Sequence, residues 1–447
     1  MTQKNNIFVN KAIFVVIVIL LSMPIIQQLT GFAYVRPLKG AVKKVEKPIL
    51  TLENWLSGNY QMKEEEYINN NFGFRTSFVR LHNQLDYWLF SKINAKSVLV
   101  GNDGYLYELS YIYEYLGRNF LGKDVINQKV ATLKSVSDSL YARGIDLVVL
   151  FAAGKASYYP EFFPDSLQSK TKTISNFDYF THAVDSAGIL NIDFNSWFVE
   201  MKDTVSYPLF TKGGIHWNKY GEYLVMDSLI KYVEKLRGVK LPYFNVDEFI
   251  ITSMPRYRDN DIGEGMNLIF PHSTTTMIYP EISIDKSKPW DTINAMVVAD
   301  SYYWEMYNEG LSRDVFNNGQ FWYYNKKIYS QEPYWATLPV GETDIRAEVE
   351  KNDIVFILQT EATLYRFGFG FVEKEYELYA QKDYKPTVVS AEKQHLDALM
   401  RNIKANKQWY AKVVEKAKKK GITPEEMLLI DARYIIDQKK KKANNSE

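Results

Sequence analysis

The sequence predicts an α/β fold in which helices cover both faces of a mostly parallel sheet. Residues 145–151, 295–299 and 354–358 form short apolar segments without polar alternation, as is typical of strands that are buried on both faces. Helix-like segments, including residues 127–143 and 217–237, lie between them along the chain. Because parallel neighbours need a crossover connection, this alternation of strands and helices favours a parallel sheet.

The composition excludes several classes of protein and of site. The 447 residues are 46% hydrophobic and 24% charged, which is typical of a folded globular chain. A formal net charge of +1 provides none of the basic excess of a nucleic-acid-binding protein. Because the chain has no Cys and only five His, we expect no disulfide, no metal site and no cofactor.

Residues 1–35 have the pattern of a membrane anchor. Lys4 and Lys11 precede a nearly unbroken apolar segment, residues 12–26, and no small-x-small cleavage site follows it. We therefore favour an uncleaved anchor over a cleaved signal peptide. Basic residues before the span keep that end cytoplasmic, so the remaining chain is expected on the periplasmic side of an inner membrane.

The rest of the chain divides into three predicted regions. Residues 36–119 form a linker and an entry segment, with a helix over 73–92 and a hairpin around Gly101-Asn102-Asp103-Gly104. Residues 120–390 form the α/β domain, which also has a helix over 177–187 and a strand over 189–192. Residues 391–447 form a basic helical tail, whose lysines lie on a solvated face or contact an anionic surface.

Two motifs carry the candidate chemistry. Residues 295–302 (AMVVADSY) end a strand with Asp300 and Ser301, where open α/β sheets place their ligands. Residues 213–218 (GGIHWN) deliver His216 from a flexible loop to the start of a long helix. A serine hydroxyl needs an adjacent base to act as a nucleophile near neutral pH, and His is the usual one. Taken alone, Asp-Ser at a strand end is more often a turn or a helix cap, and a His before a helix is more often a cap or a packing residue.

Other residues near these motifs have two interpretations. Gly154 either donates an oxyanion-hole N–H or is a plain turn residue, and Lys155 either holds substrate or caps the same loop. Aromatic side chains beside the two motifs either stack on sugar rings or pack in the core; they are Trp217, Tyr302, Tyr323 and Tyr324.

The two motifs, in this order, resemble the alginate O-acetyltransferase-like (DHHW) branch of the SGNH-hydrolase superfamily. The resemblance extends over roughly residues 50–380. It includes residues 70–75 (NNFGFR), 80–85 (RLHNQL), 101–107 (GNDGYLY), 155–161 (KASYYPE) and 360–368 (TEATLYRFG). It implies an SGNH-like sheet, with Ser301 as the nucleophile and His216 as the general base.

The resemblance also implies an activity. Members attach acetyl groups to hydroxyls of an exported or cell-envelope polysaccharide, here through an acetyl-Ser301 intermediate. A multi-spanning membrane acyltransferase is the implied acetyl donor. A carbohydrate acetylesterase that uses the same two residues, and a non-catalytic glycan-binding or assembly protein, remain alternatives.

The sequence departs from the family pattern at two positions. Ala299 replaces a Gly before Asp300-Ser301, and Gly214 stands where the family has an Asp two residues before the His. A carboxylate normally orients the catalytic imidazole, so its loss favours the non-catalytic alternative unless another group replaces it. The candidate replacements are Glu361, Asp203, a backbone carbonyl and, although its side chain is expected to point elsewhere, Asp300.

Overall fold

The computed structural model describes residues 2–40, 45–285, 287–330, 337–380, 396, 399–400, 403–404 and 406–444. Its strands lie in one seven-stranded sheet and two separate hairpins. In chain order they are β1 (Val98–Val100), β2 (Leu106–Glu108), β3 (Asp146–Ala152), β4 (Asn191–Asp193), β5 (Phe244–Thr252), β6 (Met277–Ile284), β7 (Ala295–Ala299), β8 (Phe321–Tyr323), β9 (Lys327–Tyr329), β10 (Thr337–Pro339) and β11 (Ile354–Thr360).

Helices alternate with these strands as the sequence predicted. In chain order they are α1 (Thr2–Thr30), α2 (Leu52–Leu56), α3 (Asn59–Asn71), α4 (Arg75–Phe90), α5 (Leu109–Tyr115), α6 (Lys123–Tyr141), α7 (Lys155–Tyr158), α8 (Asp165–Gln168), α9 (Asn176–Ser186), α10 (Phe194–Met201), α11 (Lys219–Arg237), α12 (Asp261–Gly265), α13 (Trp304–Asn308), α14 (Ile345–Val349), α15 (Phe371–Ala380), α16 (Lys407–Lys420) and α17 (Pro424–Asn444).

The main sheet confirms the predicted fold class. Its strand order is β10-β9-β8-β7-β11-β3-β4, and the neighbours from β8 to β4 pair in parallel. The β9 and β10 strands extend it with antiparallel pairing, so the sheet is mixed at one edge. The central strand β11 is entirely buried, which explains its unbroken apolar sequence.

Two hydrophobic cores lie on opposite faces of this sheet. Alternate residues of β3 point to opposite sides, so that Leu150 packs with α5, α11 and α13, whereas Val149 packs with α6, α9 and α15. Helices on both faces therefore cover the sheet, as the sequence predicted. The carboxyl ends of β7, β3 and β11 consequently lie side by side at one edge.

The β1–β2 hairpin lies where the sequence predicted it, whereas the long β5–β6 hairpin was not predicted. Exposed and partly buried positions predominate in β5, so the segment lacks the apolar character of the sheet strands. This hairpin matters for the site because α12 lies in the connection between its two strands.

Helices at both ends of the chain lie outside these cores. Val9–Thr30 in α1 is long and apolar enough to span a membrane and is unburied, a property that signal sequences share. In the tail, α16 and α17 form a small cluster of their own. Thr423 and Glu426 cap α17 reciprocally. Most of the predicted tail before residue 406 lies outside the described residues.

Candidate active site

The loop that carries His216 is held at both ends. Phe210 and Trp217 form an isolated antiparallel bridge, and the Asn218 N–H donates to Leu209 O at 2.8 Å. Asn218 also caps α11, because its side-chain oxygen accepts from the Gly221 N–H. These contacts fix both ends of the loop before His216, and the imidazole lies about one turn before a long, well-packed helix.

Ser301 follows the carboxyl end of β7, and Asp300 fixes the turn. One Asp300 carboxylate oxygen accepts from the Tyr302 N–H. The other accepts from the Thr360 N–H and from the hydroxyls of Thr360 and Thr363, at the end of β11. Asp300 thus binds two adjacent strand ends together and leaves the Ser301 side chain at the sheet edge.

The structure brings these two distant side chains together. Ser301 Oγ lies 2.9 Å from His216 Nε2, within the hydrogen-bond reach expected from the sequence. On the other side of the ring, His216 Nδ1 lies 2.7 Å from Asp261 Oδ2. With the proton on Nδ1 donated to Asp261, Nε2 is free to accept the Ser301 proton. The three side chains therefore form the array of a nucleophile, a base and an orienting carboxylate.

Asp261, at the start of α12, was not recognised from the sequence. Its Oδ1 accepts from the N–H groups of Ile215 and Ile262, so the carboxylate is bound to the His216 loop through both oxygens. Its pKa is lowered: burial acts to raise it, but the hydrogen bond and charge of His216, with those N–H groups, outweigh burial. Asp261 is therefore held ionised beside the imidazole.

Glycines explain how the two loops come so close. The Gly263 N–H donates to Gly213 O at 2.9 Å, and a Cβ at either glycine would overlap the Asn260 side chain. A Cβ at Gly214 would come within 2.9 Å of Asp259 O. The segment that supplies Asp261 thus occupies the space beside Gly214. Only the polar, glycine-containing sequence of residues 258–265 hinted at this role.

The structure corrects the three candidate replacements for the missing carboxylate, none of which is the hydrogen-bond partner of His216. The Asp300 carboxylate accepts hydrogen bonds at the ends of β7 and β11. Glu361 is buried and accepts from the Ser157 hydroxyl at 2.5 Å. Asp203 is exposed after α10.

Two residues that were considered for substrate or oxyanion contacts are already engaged. The Gly154 N–H donates to Asn195 Oδ1 at 2.9 Å, so it is not free for an oxyanion. Lys155 is buried, and its Nζ donates to Leu106 O, Lys212 O and Gly214 O at 2.7 to 2.9 Å. Lys155 therefore fastens the His216 loop to the β1–β2 hairpin, and this position corrects the substrate-holding interpretation.

The aromatic candidates divide into two groups. Trp217 and Tyr302 are buried in the core, and the Tyr302 hydroxyl donates to Ile215 O at 2.7 Å. Tyr323 and Tyr324 are only partly buried. Burial raises the pKa of Tyr324 to about 12, although the Ser301 side chain acts to lower it, so the hydroxyl remains neutral. Tyr324 is thus a partly buried aromatic residue beside Ser301, whereas the buried Tyr302 packs on the His216 ring.

A buried ion network joins the helices that follow the two motifs. Lys219 of α11 lies 2.5 Å from Glu309, directly after α13, and 3.6 Å from Glu222. Burial opposes the charge on Lys219, but the two carboxylates outweigh it and raise its pKa. The network holds α11 against α13 and thereby maintains the distance between His216 and Ser301. No cluster of metal-ligating side chains occurs among the residues that the structure describes.

Residues 98–243 match the family model of the SGNH hydrolase-like domain of acetyltransferase AlgX. Residues 98–243 thus correspond to the SGNH hydrolase-like domain that this model describes. The matched region of the AlgX-family domain includes His216, whereas Asp261 and Ser301 lie beyond it. The resemblance inferred from the sequence is therefore confirmed, and the chain is an enzyme of the acyltransferase type.

Solved structures show a weak overall likeness to this chain. The O-acetyltransferase domain of Pseudomonas putida AlgJ has 14% identity and a TM-score of 0.40, over 63% of this chain and 99% of that one. Pseudomonas aeruginosa AlgX has 15% identity and a TM-score of 0.40, over 63% and 70%. Bacillus cereus PatB1 with a sulfonyl adduct has 10% identity and a TM-score of 0.40, over 62% and 98%. No curated protein matches the chain.

Proposed function

We propose that this protein is a serine-dependent O-acetyltransferase that transfers acetyl groups to hydroxyls of an exported or cell-envelope polysaccharide. The Ser301–His216–Asp261 array is the observation that carries the proposal. The AlgX-family match supports the acetyl group and the polysaccharide as the reacting partners. Because Asp261 supplies the carboxylate that Gly214 lacks, the argument for a non-catalytic relative loses its basis.

In the first step, Ser301 takes the acetyl group. His216 Nε2 accepts the hydroxyl proton while Ser301 Oγ bonds to the acetyl carbonyl carbon. Asp261 stabilises the resulting imidazolium through the Nδ1 hydrogen bond. The imidazolium then returns the proton to the leaving group of the donor, which departs. The neutral Tyr324 hydroxyl, on the side of Ser301, donates to the oxyanion of the tetrahedral intermediate.

In the second step, a sugar hydroxyl takes the place of the donor. His216 accepts the hydroxyl proton, the sugar oxygen bonds to the acetyl carbon, and the bond between that carbon and Ser301 Oγ breaks. The proton returns from His216 to Ser301, so the free enzyme is regenerated. Tyr323, which is partly exposed beside Tyr324, is placed to stack on the acceptor ring.

The cellular setting is part of the same proposal. An anchor formed by Val9–Thr30 holds the enzyme on the periplasmic side of the inner membrane. There it meets the exported polysaccharide and takes its acetyl groups from a multi-spanning membrane acyltransferase.

The test follows the acetyl group on the full-length protein. We expect an activated aryl acetate to acetylate Ser301, detected by mass spectrometry of peptides, and an added oligosaccharide to gain the acetyl group. Ser301→Ala and His216→Ala abolish loading, whereas Ser186→Ala, at an exposed serine of α9, leaves it unchanged.

The same experiment separates the alternatives. Release of acetate to water in preference to the oligosaccharide would identify an acetylesterase. Absence of acetyl-Ser301 on folded protein that still binds the oligosaccharide would identify a glycan-binding protein and refute the proposal.

A further inference from the structure

Helix α4 buries polar residues and exposes apolar ones, which is the reverse of an ordinary amphipathic surface helix. Its buried residues are polar: Arg80 Nη2 donates to Pro37 O at 2.7 Å, and Gln84 Oε1 accepts from the N–H groups of Ile269 and Phe270. Asn83 also donates to Met266 O at 2.8 Å. Hydrogen bonds to backbone groups therefore attach this side of the helix, together with Tyr87, which packs against the core.

The opposite side of α4 is apolar and exposed. It presents Phe78, Leu81, Leu85, Trp88 and Leu89, whose exposed fractions run from 44% to 68%. At 3.6 residues per turn these side chains fall within an arc of about 100°. Trp88 stacks on the exposed ring of Phe270, with centroids 5.4 Å apart. The apolar face, as we call these five residues with Phe270, is an exposed patch of the kind that marks an interaction surface.

The apolar face begins where the apolar helix α1 ends. Gly73, just before α4, packs so closely on α1 that a Cβ would meet Pro24 O at 1.9 Å. The Phe74 N–H donates to Gln27 Oε1 at 3.3 Å. The rings of Phe32 and Phe74 lie 5.9 Å apart. If α1 spans the membrane, the first turn of α4 therefore lies at the bilayer surface.

We propose that the apolar face of α4 docks on the outer surface of the lipid bilayer in which α1 is anchored. Trp, Phe and Leu on one side of a surface helix are the side chains of interfacial helices, which bury their apolar face at the boundary of headgroups and acyl chains. Continuity with α1 favours lipid over a second copy of the chain. Docking orients the catalytic domain on the membrane. The proposal rests on the anchor but not on the acetyl-transfer chemistry.

Single labelled cysteines test the proposal, because the natural chain has no Cys. The full-length protein is reconstituted in lipid vesicles with an environment-sensitive dye at Leu85→Cys or Leu89→Cys. Val125→Cys on α6 is the matched control, since Val125 and Leu85 are both 44% exposed. Leu21→Cys, in α1, reports membrane insertion.

We expect nitroxide-labelled lipids to quench the dye at residues 85 and 89 several-fold more than at residue 125. A second result would overturn the proposal and leave the anchor intact: the lipids quench the dye at residue 21, but quench it at residues 85 and 89 no more than at residue 125. Self-quenching at residue 85 that grows with protein density, without lipid quenching, would assign the face to a second copy. Absence of quenching at residue 21 would overturn the anchor and the docking together.

Discussion

At the scale of single residues, the orientation of one imidazole determines whether Ser301 can react. Asp261 accepts the Nδ1 proton of His216 and leaves Nε2 facing the hydroxyl. The carboxylate is itself fixed by two N–H groups, so the ring cannot turn without losing all of these bonds. Asp261, 45 positions from the histidine in sequence, thus determines which imidazole nitrogen carries the proton.

Asp261→Asn tests this orientation. The Asn amide can donate to Nδ1, which favours the tautomer whose Nε2 carries the proton and cannot accept from Ser301. We expect the rate of acetyl loading to fall by about 10³–10⁴-fold, with little change in substrate binding. Stopped-flow measurement of loading, with thermal unfolding as the control, checks this. A loss smaller than about tenfold would contradict an orienting role for Asp261.

Glu361 should make the stability of the folded protein depend on pH. Burial raises its pKa to about 7 from an ordinary value of 4.5, although the Ser157 hydroxyl acts to lower it. The folded protein therefore holds a proton that the unfolded chain has lost, so the stability contributed by Glu361 falls as pH rises from 4.5 to about 7. Above that pH the loss is complete, at about 3 kcal/mol.

Glu361→Gln removes this proton linkage. The natural protein should lose on the order of 3 kcal/mol more unfolding free energy than the variant when the pH rises from 5 to 8. Urea unfolding at the two pH values measures the gain, and Glu200→Gln, at an exposed carboxyl of α10, is the control. An equal effect of Glu361→Gln at both pH values would show that Glu361 does not titrate in this range.

At the scale of elements, the buried Lys155 amino group ties the His216 loop to the β1–β2 hairpin. Lys155 Nζ donates to carbonyl groups from the β1–β2 hairpin and from the loop, and its three N–H donors match three acceptors. Burial lowers the pKa of Lys155 to about 7, whereas the charge of Asp261 acts to raise it. The three carbonyls favour the ammonium form, because a neutral amine would direct its lone pair at one of these oxygens.

Lys155→Met keeps the bulk but removes all three donors. Leu106 O and Gly214 O lose their donor, whereas Lys212 O keeps the Leu106 N–H. Each buried carbonyl left without a partner costs about 1–3 kcal/mol, so we expect a loss of at least about 2 kcal/mol of unfolding free energy. Acetyl loading should also slow, since the Gly214 carbonyl is released two residues before His216. Urea unfolding and the loading assay measure both effects, with exposed Lys235→Met as the control. Unchanged stability would exclude the fastening role.

At the scale of the whole molecule, the site lies at the sheet edge against the core that includes α11 and α13, and the tail has a core of its own. The tail cluster contains residues from α16 and α17 and none from the sheet. The array and the residues that fix it all precede α16. Among the described residues, the tail therefore contributes no side chain to the array.

Removal of residues 381–447 tests this independence. We expect acetyl loading of Ser301 and the thermal unfolding of the sheet domain to stay unchanged, because neither core loses a packed side chain. The loading assay and circular dichroism on the shortened protein check both. A folded protein that no longer loads Ser301 would show that the tail reaches the site.

The sequence by itself determined the α/β class, because unbroken apolar strands between amphipathic helices admit few other arrangements. It also indicated Ser301 and His216 as candidates, since a hydroxyl at a strand end and a histidine at a helix start are local features. The β5–β6 hairpin escaped prediction because its half-exposed strands lack the apolar character of the sheet strands.

Only the tertiary structure decided which carboxylate meets His216. Asp261 reaches the imidazole because Gly213 and Gly263 let two loops touch, and contact between segments so far apart has no local signature. The same is true of Lys155 and Gly154, whose polar groups are taken up by partners 41 to 59 residues away. Residue type and spacing determine the chemistry available to a side chain, whereas long-range packing determines its hydrogen-bond partners.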